Sequence, residues 1–330
     1  MNLPTLPSSL RNAARPALIA LAILGATTAV LPPGCANPHD QADHAADSQT
    51  AQGQAFDSPD EAIRALTTAV RAKDVPKLLA IMGPGGQDII SSGDEVADSQ
   101  RGQKFLALYD QKHVLTDNGK DRKTLVVGAD DWPFPVPLVK TGKSWRFDSE
   151  AGREEILNRR IGDNELSVIQ VCKAIADAQR EFALRDPDGN GLEVYAKKFI
   201  SDPGKRNGLY FPTGEGEPLS PLGELVAAAA AEGYRPNDAG PTPYHGYFYR
   251  MLFSQGPKAP DGPVDYLVNG KLALGFAVVA WPAEYGNSGI MTFIMGPDGV
   301  VYQQNLGDDT EKLVTDIKSF DPGEGWTKVE

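Results

Sequence analysis

The sequence predicts an α+β fold, because segments of helical periodicity and segments of strand periodicity occur in separate runs. In the first half, three helical segments precede two hairpins. In the second half, one long amphipathic helix precedes a series of apolar strands and a final short helix. Runs of this kind favour antiparallel sheets with helices packed against them.

The first helix has the clearest start signal of the first half. Ser58 takes the N-cap position, Pro59 takes the first helical position, and Glu61 completes a capping box. Ile63 and Leu66 then follow at helical spacing. The sequence therefore predicts a helix that begins at this point.

Two hairpins follow the helices of the first half. Their strands cover residues 112–116, 123–127, 136–140 and 144–147. This order of elements and the closing strand TGKSWRFD resemble the cone-shaped nuclear-transport-factor-2-like fold, which holds a small ligand in some proteins and serves as an interaction module in others. The residues that would line such a cone are Tyr109, Asp130, Asp131 and Trp132. A turn before Pro133 is the alternative role for the two aspartates.

The N-terminus has the pattern of a bacterial export signal. Arg11 and Arg15 precede an apolar run at residues 17–31, which is too short to cross ~30 Å of hydrocarbon as a helix. Residues 1–35 are therefore predicted to be a signal peptide. Residues 36–54 are polar and rich in Ala, Asp and Gln, which is typical of a flexible tether.

Two ways of processing this segment fit the sequence. Cys35 ends the apolar segment in the string LPPGC, which favours lipidation at this residue, although Pro32 lies where an aliphatic residue is usual. Cleavage by an ordinary signal peptidase after Ala36 also fits, since Gly34 and Ala36 are small. The first alternative places the protein on the periplasmic face of a bacterial membrane, and the second makes it soluble in the periplasm.

The mature chain is acidic. The leader contains two arginines and no acidic residue, so 30 basic and 44 acidic side chains remain, a net charge of −14. An acidic surface repels phosphate backbones, which argues against nucleic acid as a partner. The remaining 295 residues exceed one typical core, and we expect two domains, at residues 55–158 and 159–330.

Residues 164–185 form the longest helical pattern of the chain. Ile169, Cys172 and Phe182 lie on its apolar face, which predicts a helix packed along a sheet. Cys172 is the only cysteine besides Cys35, so no disulfide can form within the mature chain. Its place on the apolar face predicts a buried thiol rather than a nucleophile.

The loop after this helix carries the sharpest local motif. Asp186, Asp188 and Asn190 alternate, with Gly at the sixth position, as in the first half of a calcium loop. The twelfth position is Lys197 instead of Glu, so Glu193 would have to complete a shorter loop. The same residue types also suit an ordinary turn. Calcium binding by this loop is therefore one of two interpretations.

A catalytic constellation is hard to find in the sequence. His245 is the only histidine of the second predicted domain, and it would form an acid–base cluster with Glu284 and Tyr285 if the strands bring them together. A strand histidine among aromatic residues, satisfied by backbone or a carboxylate, is the alternative. No GxSxG motif and no zinc-ligand spacing is present in the sequence. We therefore expect a protein that is not an enzyme.

A basic pair in a later loop is a second candidate binding feature. Lys205 and Arg206 lie between Gly204 and Gly208. This arrangement suits either an anion-binding loop or solvated surface charges.

The second half resembles the soluble part of pilin and pseudopilin-like proteins. The resemblance rests on the long helix, a DGNG loop, the string AxPxEYGxSG and an FxxxxDGVxY hairpin. It implies one helix packed on an antiparallel meander. No prepilin leader or hydrophobic helix precedes residue 164, so the resemblance implies a fold and not assembly into a fibre.

A wider resemblance covers nearly all of the mature chain. The strings GPGGQDIISSGD, LVVGADDWPFPVPLV, WRFDSEAGREEILNRRIGDNE, PYHGYFYR and VAWPAEYGNSGIMTFI are similar to the bacterial family described as domain of unknown function 2950. This family implies no activity, cofactor or site residue.

These observations predict an exported, lipid-anchored cell-envelope protein that acts as a non-catalytic binding or interaction module. Its expected partner is an envelope protein, a peptide or a glycan, and it would contact the membrane only through the lipid. An accessory role in envelope or secretion assembly is one alternative, and a hydrolase that uses His245 and Glu284 is another. Calcium is the cofactor that the sequence suggests.

Overall fold

The computed structural model describes residues 53–186, 189, 191–235 and 242–329. The predicted signal peptide, Cys35 and nearly all of the predicted tether lie outside the described residues. The described chain starts in contact with the fold, because the Gln54 N–H donates to the carbonyl of Ala80 and Arg146 donates to the carbonyl of Gly53. Residues 53 and 54, predicted as the end of the tether, are thus held by hydrogen bonds.

Four helices open the first half. Their bounds are Pro59–Ala72 (α1), Val75–Met82 (α2), Gly86–Ile90 (α3) and Glu95–Gln111 (α4). The predicted start of α1 is confirmed, since Ser58 Oγ accepts from the N–H of Glu61 at 3.2 Å and Glu61 Oε2 accepts from the N–H of Asp57 at 3.0 Å. Asp74 and Asp94 cap α2 and α4 through their side chains in the same way.

An antiparallel sheet completes the first half. Its strands are His113–Asp117 (β1), Arg122–Val127 (β2), Trp132–Pro133 (β3), Leu138–Thr141 (β4) and Ser144–Phe147 (β5). They lie in the order β1, β2, β4, β5, and β3 pairs with β2. Both predicted hairpins, β1–β2 and β4–β5, are confirmed. Leu66 and Ile81 from the helices and Leu125 and Phe147 from the sheet share one core.

One long helix joins the two halves. α5 covers Ser149–Leu184, and Asp148 caps it by accepting from the N–H of Ala151 at 3.2 Å. The prediction of a helix at residues 164–185 missed its first fifteen residues, because Leu157 and Ile161 are the only large apolar residues buried in that part. The predicted boundary at residues 158 and 159 lies inside this helix.

A five-stranded antiparallel sheet forms the centre of the second half. Its strands are Tyr247–Leu252 (β6), Ala277–Pro282 (β11), Met291–Met295 (β12), Val301–Asn305 (β13) and Thr327–Lys328 (β14). They lie in the order β14, β13, β12, β11, β6. Two short antiparallel pairs separate β6 from β11 along the chain: Ser254–Gln255 (β7) with Val264–Asp265 (β8), and Leu267–Val268 (β9) with Lys271–Leu272 (β10).

Apolar side chains cover both faces of this larger sheet. Val278 and Ala280 of β11 belong to the core beneath α5, whereas Ala277 and Val279 belong to the core on the opposite face. Because side chains alternate between faces, a strand buried on both sides has a continuous apolar sequence. Two shorter helices, Gly223–Glu232 (α6) and Thr310–Asp316 (α7), complete the described helices, and Val314 of α7 packs in the second core.

The predicted α+β class is confirmed, since helices and antiparallel sheets make up both halves. The first half has one hydrophobic core and the second half has two, and the described residues belong to one compact unit. No helix within the described part of the chain combines the length and the apolar character needed to cross a membrane.

Candidate functional site

A group of polar side chains, several of them buried, lies where the two halves of the fold meet. It consists of Asp94 at the start of α4, of Arg160, Asn164 and Glu165 on α5, and of the loop at residues 284–288. We call this set the junction. Asp94, Arg160 and Asn164 are at most 4 % exposed. Buried groups of this kind require hydrogen-bond partners, and the partners define what the junction does.

Arg160 is a buried cation whose two terminal nitrogens donate to main-chain carbonyls. Its Nη1 donates to the carbonyl of Asp88 and its Nη2 to that of Ile89, both at 2.7 Å, and Nη1 also donates to the side chain of Asn287. Burial, with the nearby charge of Arg101, lowers the pKa of Arg160 to about 10. The guanidinium is therefore still charged at neutral pH, and it holds the α3–α4 segment against the loop that contains Asn287.

Asp94 connects three segments through one carboxylate. Its Oδ1 accepts from the N–H of Ala97 at 3.0 Å, and its Oδ2 accepts from the hydroxyl of Tyr234 at 2.8 Å and the N–H of Gly246 at 2.9 Å. Burial raises the pKa of Tyr234, and the charge of Asp94 raises it further, so the phenol stays a neutral donor. A Cβ atom on Gly246 would lie 2.5 Å from Asn164 Nδ2, so this approach requires glycine.

α5 contributes two further side chains to the junction. Asn164 Nδ2 donates to the carbonyl of Ser288 at 2.8 Å. Glu165 Oε1 accepts from the N–H groups of Ile290 and Met291, both at 2.9 Å. These bonds run to the backbone just before and at the start of β12, so the junction fixes the position of the second sheet relative to α5.

His245 lies beside the junction in a two-residue turn. Tyr244 and Tyr247 exchange backbone hydrogen bonds of 2.9 and 3.2 Å, and the two residues between them, His245 and Gly246, have φ values of +51° and +74°. Positive φ is uncommon for histidine, and Asn is the usual residue before Gly in a type I′ turn. His245 Nε2 lies 3.6 Å from Glu232 Oε2 at the end of α6.

The surroundings of His245 keep its imidazole largely neutral. Burial lowers the pKa of His245, and this effect outweighs the opposing effect of the Glu232 and Asp94 carboxylates. The rings of Tyr234 and Tyr244 pack nearby, with centroids 6.2 and 4.2 Å from that of the imidazole. A neutral imidazole beside a carboxylate can exchange a proton with solvent, which is the chemistry that this arrangement supports.

The structure gives the other acid–base candidates partners of their own. Glu284 Oε2 accepts from the side chain of Asn287 at 2.6 Å, and the hydroxyl of Tyr285 donates to Asn305 Oδ1 at 3.0 Å. The carboxylate paired with His245 is Glu232, which no sequence signal indicated.

Two residues of the predicted calcium loop, Asp188 and Asn190, lie outside the described residues. Asp186 has a φ of +42°, and its Oδ2 accepts from the N–H of Gly191 at 2.8 Å, which closes the turn. Glu193 is exposed. Within the described ranges, no group of three or more His, Cys, Asp and Glu side chains could hold a metal ion. Calcium binding by this loop stays a prediction.

The remaining sequence candidates occupy structural positions. Cys172 is buried in the core beneath α5, and burial raises the pKa of its thiol to about 12, as expected for an inert thiol. Asp131 has a φ of +53° and pairs with Lys112 at 2.6 Å, which fits the turn interpretation. Trp132 packs against Phe134 at the core of the first half.

An open groove of about 440 Å³ is lined by Arg185 at the end of α5 and by Arg206, Phe211, Glu217 and Pro218 of the following loop. We call it the arginine groove. Arg206 Nη2 donates to Glu217 at 2.8 Å, and its guanidinium carbon lies 5.0 Å from the centre of the Phe211 ring.

The two cations predicted as an anion-binding pair have different positions. Arg206 lines the arginine groove, whereas Lys205 pairs with Asp202 at 3.8 Å and is not part of the lining. The second cation of the groove is Arg185, which donates to the carbonyl of Leu219 at 2.6 Å. Because Arg185 and Arg206 are 21 residues apart, local spacing could not indicate that they line one groove.

Sequence reasoning also missed Arg160. A signal for it was present, because Arg160 lies at helical spacing with Leu157, Ile161 and Asn164, which are all buried. A charged side chain inside such a stripe requires buried partners, and it therefore indicates a contact between distant segments.

Fold and junction together define an α+β protein with two five-stranded sheets, whose halves are joined by hydrogen bonds at the junction. Residues 53–329 match the family model described as "Protein of unknown function (DUF2950)", and the chain belongs to that family. The match confirms the resemblance inferred from the motif strings, and it starts at Gly53, the first described residue. No curated protein and no solved structure gives a significant match to the chain.

Proposed function

We propose that this protein is an exported cell-envelope protein, lipid-anchored at Cys35, that acts as a non-catalytic interaction module. The export pattern at residues 1–35 supports the location. The observation that carries the interaction role is the arginine groove, an open surface lined by two guanidinium groups, of which that of Arg206 lies beside the Phe211 ring. Its partner would be another envelope component: a protein, a peptide or a glycan.

The junction supports a structural role for the buried polar residues. Arg160, Asn164 and Glu165 direct hydrogen bonds to backbone groups of other segments, so these side chains hold loops in place. A scaffold fixed in this way presents its surface groups in constant positions, which lowers the entropic cost of binding a partner.

The predicted tether limits how far the folded part can lie from the membrane. Gly53, where the described fold begins, lies eighteen positions after Cys35. A fully extended chain of this length spans roughly 60 Å, and a flexible one averages roughly 25 Å end to end. We therefore expect the partner to lie in the envelope within that distance.

The proposal also includes a more specific fold for each half of the molecule. Four helices before an antiparallel sheet support a cone-like first half, and α5 over one face of the second sheet supports a pilin-like second half. The packing of α5 also favours a second candidate function, an accessory role in envelope or secretion assembly.

Fractionation of a bacterial host that expresses the full chain tests the anchor. We expect the wild type in the membrane fraction with incorporated labelled palmitate, and Cys35→Ser in the soluble periplasmic fraction without label. Cys172→Ala is the matched control, because its thiol is buried and its loss should leave the label unchanged. A Cys35→Ser variant that still sediments with membranes would contradict the anchor.

Photo-crosslinking in the same cells tests the interaction role. A photoreactive residue at Pro218 lies in the arginine groove, whereas one at Lys120 lies in an exposed loop of the first half and serves as the control. We expect a discrete crosslinked product from position 218 and none from position 120. The same products from both positions, or none from position 218, would contradict a partner at the groove.

A calcium titration tests the predicted loop separately. Bound calcium would raise the melting temperature, and Asp188→Ala would remove that rise. If calcium leaves the melting temperature of the wild type unchanged, the calcium interpretation is rejected and the turn interpretation of residues 186–193 is kept.

A further inference from the structure

The ion pairs of the arginine groove indicate the class of its ligand. Its lining contains two cations, Arg185 and Arg206, and one anion, Glu217. Arg185 also pairs with Glu181, so each cation of the groove lies beside one carboxylate, on a chain whose net charge is −12. Both guanidinium groups thus already hold carboxylates of the protein, and a ligand carboxylate would have to exchange with one of these.

Both guanidinium groups keep hydrogen-bond donors for a ligand. Among the described residues, the hydrogen bonds of Arg185 and Arg206 all run through Nη2. A guanidinium has five N–H donors in a planar fork, and two of them match the two oxygens of a carboxylate. Arg206 Nη2 keeps one N–H, so Arg206 can bind a carboxylate through two parallel hydrogen bonds, whereas Arg185 keeps the separate donors of Nε and Nη1.

The present ion-pair partners of these arginines are easily displaced. The side chains of Arg206 and Glu217 are 63 % and 49 % exposed, and those of Arg185 and Glu181 are 33 % and 48 % exposed. Exposed ion pairs contribute little free energy, because water screens the charges and two long side chains lose freedom. A ligand carboxylate can therefore replace Glu217 on Arg206 at small cost.

Apolar groups lie beside the two cations. Phe211 and Pro218 line the groove, and Phe211 is almost fully buried. Leu184 and Leu219, the neighbours of Arg185 and Pro218 in sequence, are 75 % and 52 % exposed. An apolar group attached to the carboxylate would be removed from water on this surface. The volume of about 440 Å³ suits a small ligand or the last residues of a peptide.

We propose that the arginine groove binds a carboxylate with an adjacent apolar or aromatic side chain, as at the C-terminus of a peptide. Arg185 and Arg206 bind the carboxylate, and Phe211 with Pro218 contacts the side chain. This inference rests on the proposed interaction role and names its ligand class. A small free carboxylic acid has the same chemistry and is the other source of such a group.

Calorimetric titration of the purified exported chain tests the ligand class with three probes. They are acetyl-Ala-Ala-Phe with a free carboxylate, the same peptide as its C-terminal amide, and acetyl-phenylalanine. We expect the free acid to bind with a Kd on the order of 10⁻⁴ to 10⁻³ M and the amide at least about tenfold more weakly. Acetyl-phenylalanine with the same Kd as the peptide would identify a small acid, and weaker binding would identify a peptide terminus.

Matched variants test the residues. We expect Arg206→Gln to weaken binding of the free acid about tenfold and to abolish the preference over the amide, and Arg206→Lys to have an intermediate Kd. Lys205→Gln removes the neighbouring exposed cation that pairs with Asp202, and it should leave the Kd within about twofold. Circular dichroism checks that each variant folds, as the 63 % exposure of Arg206 predicts.

Three outcomes would overturn this inference: equal affinity for acid and amide, no binding of any probe up to ~10 mM, or the same loss in Lys205→Gln as in Arg206→Gln. The titration depends on neither the anchor nor the cellular partner. A crosslink from position 218 without a preference for the acid would keep the interaction role and reject the ligand class. Binding of the acid without a crosslink from position 218 would keep the ligand class and contradict a cellular partner at the groove.

Discussion

Arginine occurs in both the junction and the arginine groove, but in opposite settings. Arg160 is 3 % exposed and donates to the carbonyls of Asp88 and Ile89, whereas Arg206 has a 63 % exposed side chain and donates to the carboxylate of Glu217. Carbonyls of a folded backbone cannot move away, but an exposed carboxylate can be exchanged for another. A buried guanidinium therefore determines architecture, and an exposed one can select a ligand.

The carboxylates of the two regions differ in the same way. Asp94 and Glu165 accept hydrogen bonds from backbone N–H groups, whereas Glu181 and Glu217 are partners in half-exposed ion pairs. Groove residues also contact backbone groups, as Arg185 does at Leu219, so solvent exposure rather than partner type separates the two sets. Changes in the junction should affect stability, and changes in the groove should affect binding.

Replacement of Arg160 should have the largest effect on stability. Arg160→Met would leave the carbonyls of Asp88 and Ile89 buried without their donor, and we expect a loss of about 3–5 kcal/mol in the free energy of unfolding. Urea denaturation followed by circular dichroism measures this loss.

The neighbouring arginine is the control for that change. Arg159 pairs with Glu155 on the exposed side of α5 and lies 5.2 Å from the ring of Trp132, so Arg159→Met should cost about 1 kcal/mol or less. An equal loss in both variants would break the distinction between buried and exposed arginines on which the comparison rests.

Removal of the Glu165 carboxylate should have the next largest effect. Glu165→Ala would leave the N–H groups of Ile290 and Met291 without their acceptor, and we expect a loss of about 1–3 kcal/mol in the free energy of unfolding. Glu154→Ala on the exposed side of the same helix should change it by less than about 0.5 kcal/mol. A Glu165→Ala variant as stable as Glu154→Ala would show that water replaces the lost acceptor.

His245 is less buried than Arg160 and less exposed than Arg206. The effect of replacing it on stability should depend on pH. Burial lowers the pKa of His245 in the folded protein, whereas the unfolded chain has the ordinary value of about 6.5. The unfolded state therefore binds the proton more readily, so stability falls as the pH drops below about 6.5, until the folded pKa is reached. His245→Asn removes this loss and suits the positive φ of the turn.

Urea denaturation at pH 7.5 and pH 5.5 measures this effect. We expect His245→Asn to lie within about 1 kcal/mol of the wild type at pH 7.5 and to gain relative to it at pH 5.5. Glu232, Asp94 and Arg101, the other charged groups that act on the imidazole, are present in both proteins. A difference that is the same at both pH values would show that His245 has no lowered pKa.

Replacement of Arg206 should have the smallest effect on stability. Arg206→Gln removes an exposed ion pair and one contact with the Phe211 ring, and we expect a change of less than about 1 kcal/mol in the free energy of unfolding. A loss of unfolding free energy comparable to that of Arg160→Met would mean that Arg206 stabilises the fold instead of serving a binding site.

Local features of the fold could be predicted because their causes lie within a few residues. The Ser58 cap involves residues 57–61, and the hairpin turns depend on residues next to each other in the chain. The burial of Cys172 followed from the apolar stripe of its own helix. The start of α5 at Ser149 was missed because its first four turns bury few large apolar side chains, so the periodicity there is weak.

The partners of the candidate residues could not be predicted, because they come from distant parts of the chain. Arg160 and Asn287 are separated by 127 residues, and Asp94 and Gly246 by 152. A cluster of His245 with Glu284 was conditional on the strands bringing them together, and the carboxylate that lies beside His245 is Glu232 of α6. Which carboxylate reaches a given side chain depends on how helices and sheets pack, and one sequence carries no direct record of that packing.

The sequence by itself determined the α+β class, the helix caps and hairpin turns, the acidic charge and the family, and it predicts the export signal that ends near Cys35. These properties depend on composition, periodicity and neighbouring residues. Only the tertiary structure decided that Arg160 is buried and connects distant segments, while Arg206 lines an open groove with Arg185. The same guanidinium serves either role, and burial and the choice of partner, which long-range packing sets, decide between them.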